Sequence, residues 1–449
     1  MEVRTITSFL ENEVREYAKD VIENRAIPSV IDGLKPTARK VVYIANKKWK
    51  TLSEKPMKVF QLTGAVAEQA YYHHGDASLN STIVNMAQKF KNNMPLLEDI
   101  GQYGTLRSPY AGAPRYISTR LSSNFRLIYK DFDLLENQVD EGNVIEPKYF
   151  LPIIPACIVN GSSGIAVAFA INVLNRNPFD VIDACKAVIT GKKINESNLK
   201  PYYSDFSGRI EQDLDNNLKW HFFGKYEIIK EKTVHITELP PNIQYEAYEA
   251  YLNTLIDKKI IVDYDDNCSN NIDYTVYFKK EILKDYIAKG KLDSLLKMES
   301  TETENFTFLD EESNIKQFNS VIDIVKYFVD FRLVVYSKRK TKLIADKKHI
   351  IQILNNKIRF IENIDKDNSI LLDKRENALI EYLESNKFDK IDESYYYLTS
   401  MSISSFTQTN LNKLKNQLVE EENELKVIEE KNEKEMYLED LKELKKSIK

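Results

Sequence analysis

All 13 glycines and all 13 prolines of this 449-residue chain lie before residue 326. A stretch of more than a hundred residues without either helix breaker, rich in Lys and Glu, has few solutions other than long helices. The segment "LNKLKNQLVEEENELKVI" spaces Leu411, Leu414, Leu418, Leu425 and Ile428 by threes, fours and sevens, a coiled-coil seam that Glu421 interrupts. Upstream, "IVKYFVDFRLVVYSKRKTKLIADKKHIIQIL" is the candidate antiparallel partner arm. Between the arms lies "YYYLTSMSISSF", read either as an apolar tip for self-association or as a small packed globule.

The rest of the chain divides by texture. Residues 1–175 mix helical patterns: "PTARKVVYIANKKWK" places Pro36 at a helix start, "KVFQLTGAVAEQAYYHHGD" gives a second helix, and "SLNSTIVNMAQKF" a third, with Ile83, Met86 and Ala87 at helical spacing. Helix, turn and helix with basic flanks is the outline of a nucleic-acid reader. Residues 176–325 change to short alternating strands in "WHFFGKYEIIKEKTVHITELPPNIQ" and "IDYTVYFKK", an α+β region of its own, and residues 326–449 form the helical arms. The acidic turn "DYDDNCSNN" fails as a calcium loop, because Cys268 stands where glycine is needed and Tyr274 where a glutamate belongs.

Net charge is −5, so no global basic signature points to nucleic acid. Basic residues are nevertheless concentrated between Lys35 and Lys58, a cluster able to neutralise phosphates or simply to solvate a helix face. Cys157, Cys185 and Cys268 are far apart, which fits a reducing compartment and argues against a zinc site. An amphipathic start and the lack of a long apolar run give the expectation of a cytoplasmic protein with no membrane partner.

The stretch "AGAPRYISTRL" sets Arg115 and Tyr116 after three small residues, Ala111, Gly112 and Ala113. Alone, such a pair is ordinary core material. Around it stand "ENRAIPSVIDGLKPTARKVVY", "YYHHGDASLNSTIVNMAQ", "GQYGT" and "FLPIIPACIVNGSSGIAVAFAINV". Together and in this order, these motifs resemble the breakage-reunion subunit of type IIA DNA topoisomerases, the gyrase A-like family. The match is clear from about residue 15 to 178 and weaker to the closing "YLEDLKELKK". With nothing beyond the arms, the chain resembles the tail-less medium subunits of the phage branch, so a phage source is the first expectation and a tail-less bacterial cleavage subunit the second.

The resemblance implies a multidomain α+β fold: a winged-helix DNA-binding domain, an α+β tower, and a long antiparallel coiled coil ending in a C-terminal dimerisation gate. It implies an ATP-dependent type II topoisomerase, in which Tyr116 is the nucleophile, Arg115 clamps the scissile phosphate, Arg25 stabilises transition-state charge and His74 hydrogen-bonds the phosphate or the tyrosine. Lys35, Arg39, Lys40, His73 and Val173 are expected on the DNA, with Val173 as an apolar wedge between base pairs; a structural role for His73 and a core role for Val173 are the competing readings. Pro114 departs from the alanine common at that place and removes a backbone donor. Mg2+ and ATP are expected on an ATPase and TOPRIM partner subunit, and none on this chain. The partners are then double-stranded DNA, that large subunit in one or two polypeptides, and a second copy of the chain. A DNA-binding architectural protein that has lost cleavage is the alternative.

Overall fold

The computed structural model describes residues 6–51, 53–140, 142–268, 271–367 and 377–448. It resolves into two compact units, Met1–Arg332 with Asp440–Lys449, and Leu333–Glu439. Among the described residues no helix is long and apolar enough to cross a membrane.

The first unit opens with helical turns that end in a π-helical stretch, Ile22–Ala26, carrying Arg25. Pro36 starts helix α1 (Pro36–Lys48), where a missing N–H costs nothing, and Val41, Val42, Ile44 and Ala45 bury its inner face. A two-residue strand β1 (Met57–Lys58) leads straight into α2 (Val59–Gln69), and α3 (Asp76–Ala87) follows after a short turn. Leu79, Ile83, Met86 and Ala87 form the buried face of α3, which is the periodicity read from its sequence. Strand β2 (Ser118–Thr119) pairs antiparallel with β1. A hairpin of β3 (Ser162–Ile165) and β4 (Ala170–Val173) closes this part of the unit.

The alternating segments form two small antiparallel sheets. In one, β6 (Lys219–Phe223) lies between β5 (Arg209–Gln212) and β11 (Glu299–Thr303). In the other the order is β7 (Lys225–Lys230), β8 (Thr233–Glu238), β10 (Tyr274–Phe278), β9 (Ile261–Asp266). The inner face of the second sheet, Val234, Ile236, Tyr274, Val276 and Phe278, packs on Tyr248, Leu252 and Leu255 of helix α4 (Tyr245–Asp257). This sheet and helix are the α+β texture expected for residues 176–325.

The break expected after residue 175 falls inside the first unit, and buried ion pairs explain the continuity. Arg176 holds Glu304 at 2.6 Å with both side chains sealed from water, and Glu304 also accepts from the Leu174 amide and the Trp220 indole. Arg107 reaches Glu238 at 2.5 Å and donates to the carbonyls of Leu239, Pro240 and Ile243. A main-chain bridge joins Asn172 to Asn305.

In the second unit the helix Val321–Lys366, from Leu333 onward, pairs antiparallel with Gln408–Glu430. Lys348 meets Glu429 and Lys415 meets Glu362, so position rises along one arm as it falls along the other. Glu421, the interruption in the seam, is bound by Lys347, which also pairs with Glu424. Phe360 and Ile364, at the end of the first arm, form a core with Leu383, Phe388, Tyr395 and Leu398. Of the two readings of "YYYLTSMSISSF", the packed globule is the one found: Tyr395 and Leu398 are buried and Met401 and Phe406 pack against the core, while Tyr396 remains 73% exposed.

Removing Glu304 should leave the Arg176 charge buried without its partner. Glu304→Ala is expected to cost about 3–5 kcal/mol, read from the urea midpoint. His221 is held between Asp213 at 2.8 Å and Glu299 at 2.6 Å, and these bonds, Asp213 first, raise its pKa above 6.5. That contribution is complete below about pH 6.5 and is lost as pH rises through the raised value. The melting-temperature gap between wild type and His221→Gln should therefore narrow from about pH 6 to about pH 9.

Candidate functional site

Tyr116 sits on a tight turn in which its amide donates to the Ala113 carbonyl at 2.8 Å. The turn is closed by β1, α2 and β2. Val59 N donates to the Ile117 carbonyl and Phe60 N to the Pro114 carbonyl, each at 3.2 Å, and Lys58 Nζ donates to the Tyr116 carbonyl at 2.8 Å. Helix α2 thus spends its free N-terminal donors on the turn. Pro114 brings no N–H here, and it is its carbonyl that is used.

The small residues before the pair have a structural reason. Gly112 N donates to the Gln102 carbonyl at 2.9 Å, and a Cβ on Gly112 would meet Ile117 Cγ2 at 3.2 Å. Gly104 has a φ of +79° and a Cβ there would strike the Ser108 carbonyl at 2.7 Å. From the far side, Gln88 after α3 donates to the carbonyls of Tyr103 and Pro109, and Tyr103 donates its hydroxyl to the Ser118 carbonyl.

Held this way, the Tyr116 ring is 71% exposed, with the Arg115 guanidinium carbon 5.4 Å from its centroid. Arg115 is exposed as well. A bulky aromatic left in water beside a cation can meet a phosphate with a phenol oxygen and a guanidinium from one short turn.

Arg25, Lys35 and His74 line a separate cavity of about 690 Å³ together with Asn160 and Ile165; Arg115 and Tyr116 do not line it. Arg25 and His74 are exposed, and the His74 ring makes an edge contact with Tyr72. Lys35 donates to the Ser163 carbonyl at 2.7 Å, and burial lowers its pKa. His73 is exposed and pairs loosely with Asp140 at 3.8 Å.

Three of the residues expected on DNA are differently engaged. Arg39 is buried and grips Asp32 through two nitrogens, at 2.7 and 3.0 Å, while Asp32 also accepts from the Phe150 amide. Lys40 donates to the Ala70 carbonyl and to Glu146. Both are internal struts, because neighbouring carboxylates have already taken their charge. Val173 is only 4% exposed. It opposes Ser162 in the hairpin, while Ile165 opposes Ala170. Facing residues in a ladder share a side, so Val173 lies on the inner side with Ile171, and Ile165, at 86% exposure, on the outer side with Ser163 and Asn172. Gly164 makes this seating feasible, since a Cβ there would strike the Ala26 carbonyl at 2.3 Å.

The sequence reading set Val173 rather than Ile165 on the DNA, and passed over Lys58 as one charge in a cluster. The alternation through "GIAVAFAINV" could have shown that Ile165 and Val173 face opposite sides once a turn is placed between them. Among the described residues no group of three His, Cys, Asp or Glu side chains is placed to hold a metal ion.

The family model for the A-type subunits of DNA gyrase/topoisomerase IV matches residues 25–444. A DNA topoisomerase 2 of Acanthamoeba polyphaga mimivirus is 31% identical over 97% of this chain and 40% of its own length, and that of Plasmodium falciparum 33% identical over 98% and 34%. The chain therefore spans less than half the length of these relatives. The DNA topoisomerase medium subunit of Enterobacteria phage T4 is 29% identical over 92% of each chain. A crystal structure of the Plasmodium falciparum topoisomerase II DNA-binding, cleavage and re-ligation domain superposes with a TM-score of 0.88 at 33% identity, covering 98% of this chain and 64% of that one. Its α+β architecture of many helices and small sheets is the one found here. The chain belongs to the family of DNA gyrase/topoisomerase IV A-type subunits.

Proposed function

We propose that the chain is the DNA-cleaving and resealing component of an ATP-dependent type II DNA topoisomerase. The observation that carries this reading is the exposed Tyr116 ring on a turn whose Ala113, Pro114, Tyr116 and Ile117 carbonyls each accept a hydrogen bond, with Arg115 beside it. The superposed Plasmodium domain, one of DNA binding, cleavage and re-ligation, supports it.

In the proposed reaction the Tyr116 phenol oxygen attacks a backbone phosphorus and loses its proton. The bond from phosphorus to the 3′-oxygen breaks, and the protein remains linked to the 5′-phosphate. Arg115 neutralises the equatorial oxygens. The released 3′-hydroxyl later attacks the phosphotyrosine and restores both the DNA and the phenol, so the bond energy is conserved. Arg25, Lys35 and His74, gathered round one cavity, are suited to hold an adjacent phosphate. Mg2+ and ATP are assigned to a partner polypeptide carrying the ATPase and TOPRIM functions, and the near full-length match to a medium subunit supports such a division.

On this reading α1 to α3 are the winged-helix part, the sheets β5 to β11 the tower, and the paired arms a coiled coil whose end globule is the dimerisation gate. Among the described residues there, Tyr396 and Ile380 remain exposed to meet a second copy. The cytoplasm is the proposed location. The wedge role passes from Val173 to Ile165, the branched apolar side chain that is open to a base step.

Tyr116→Phe removes one oxygen and no charge. With partner, ATP, Mg2+ and supercoiled plasmid, detergent trapping should yield no protein-linked DNA, while DNA affinity stays near wild type; linked DNA from the variant would exclude Tyr116 as nucleophile. Ile165→Ala should reduce DNA bending and cleavage together and move stability by less than about 0.5 kcal/mol. Val173→Ala should do the reverse, costing about 1.5–3 kcal/mol while bending, followed by energy transfer, is kept.

A further inference from the structure

Three consecutive residues at the start of α2 grip three carbonyls around Tyr116, and the grips differ in kind. Val59 and Phe60 use main-chain N–H groups, so their bonds to Ile117 and Pro114 do not depend on the side chain, proline excepted. The third bond, on the carbonyl of Tyr116 itself, comes from a side chain, Lys58 Nζ at 2.8 Å. The strand register sets this up: Lys58 faces Ser118, two residues beyond Tyr116. The Lys58 main-chain N–H is occupied by Gln61 Oε1 at 3.1 Å, which fixes the backbone from which the side chain reaches across.

A ring that is 71% exposed gains little orientation from packing. Its direction follows from the two peptide planes flanking its Cα. The plane before it is pinned by the bond from Tyr116 N to the Ala113 carbonyl. The plane after it is pinned at its oxygen by Lys58 and at its nitrogen only by the longer 3.4 Å contact from Ile117 N to the same Ala113 carbonyl. A charge-assisted bond is the stronger of these restraints. Lys58 is exposed, and among the described residues no carboxylate is paired with its ammonium, so water alone competes with the Tyr116 carbonyl for its donors.

We propose that Lys58 is a positioning residue for Tyr116, holding the peptide plane after the nucleophile so that the phenol oxygen stays aligned with the scissile phosphate. The proposal rests on the reading of Tyr116 as nucleophile. A misplacement of about 1 Å at a reacting atom can cost up to about a hundredfold in rate.

The test uses the full chain with its partner polypeptide and compares wild type, Lys58→Met, Lys58→Arg and Tyr116→Phe. Lys58→Met should lower covalent cleavage at saturating DNA about tenfold or more, with DNA Kd within about twofold of wild type, and Lys58→Arg should recover most of the loss. On the chain alone, hydrogen exchange across residues 113–118 should quicken in Lys58→Met and nowhere else. Wild-type cleavage by Lys58→Met overturns the proposal. So does a cleavage loss matched by an equal loss of DNA affinity, which would make Lys58 a phosphate contact. Unchanged exchange across 113–118 overturns it as well. Linked DNA from Tyr116→Phe would instead sink the nucleophile reading, while the exchange result would still report whether Lys58 holds the turn.

Discussion

The start of α2 is the point on which the candidate site depends. A helix always leaves its first donors unused, and here two of them, with one lysine side chain, are spent on the carbonyls of Pro114, Tyr116 and Ile117. The same helix, through the turn that follows it, leads to His74 and α3. From the end of α3, Gln88 returns to the loop that leads into Gly112 and the Arg-Tyr turn. The loop is held at both ends by one helix pair. That is how a short irregular segment holds an aromatic side chain in water.

Behind this circuit stand charges that never reach the surface. Arg39 with Asp32, Arg107 with Glu238 and Arg176 with Glu304 are sealed pairs whose remaining donors go to carbonyls. A buried pair is costly to desolvate and adds little net stability over an apolar filling, but each demands one geometry. Arg107 lies within the loop between Gly104 and Gly112, and its partner Glu238 ends β8. Tyr245 at the start of α4 also donates its amide to the Arg107 carbonyl. The loop that leads to Tyr116 is thus registered against the sheet by groups that each demand one geometry.

Much of this was legible in the sequence wherever the information is local. Helix α3 could be read from the spacing of Ile83, Met86 and Ala87, β6 and β8 from alternation, and the arms from the absence of glycine and proline. The Arg-Tyr turn was legible only through its accompanying motifs. What failed was long-range pairing: composition gave Arg39 and Lys40 as free cations, but their partners Asp32 and Glu146 lie 7 and 106 residues away, and nothing local marks the second. Val173 failed for a different reason. In a hairpin the face of each side chain depends on where the turn falls, and one misplaced residue exchanges inside for outside. The tip segment stayed open between two readings because its covering residues Phe360 and Leu383 lie outside it in the sequence.

The pattern of exposure then carries a last step. Phe60, Tyr110 and Tyr116, all more than half exposed, come from the start of α2 and the loop it secures, and Ile165 stands at the outer end of β3. Each is large, apolar and uncovered, and each belongs to a segment whose backbone is firmly bonded. A folding chain left to itself would bury such groups, since each is worth about 1.5–3 kcal/mol under cover. Duplex DNA has the chemistry to cover them, with phosphates for Arg115 and stacked bases for the apolar groups. On the proposed reading, the stability withheld from the free chain is released on the bound duplex, which offsets the cost of bending it.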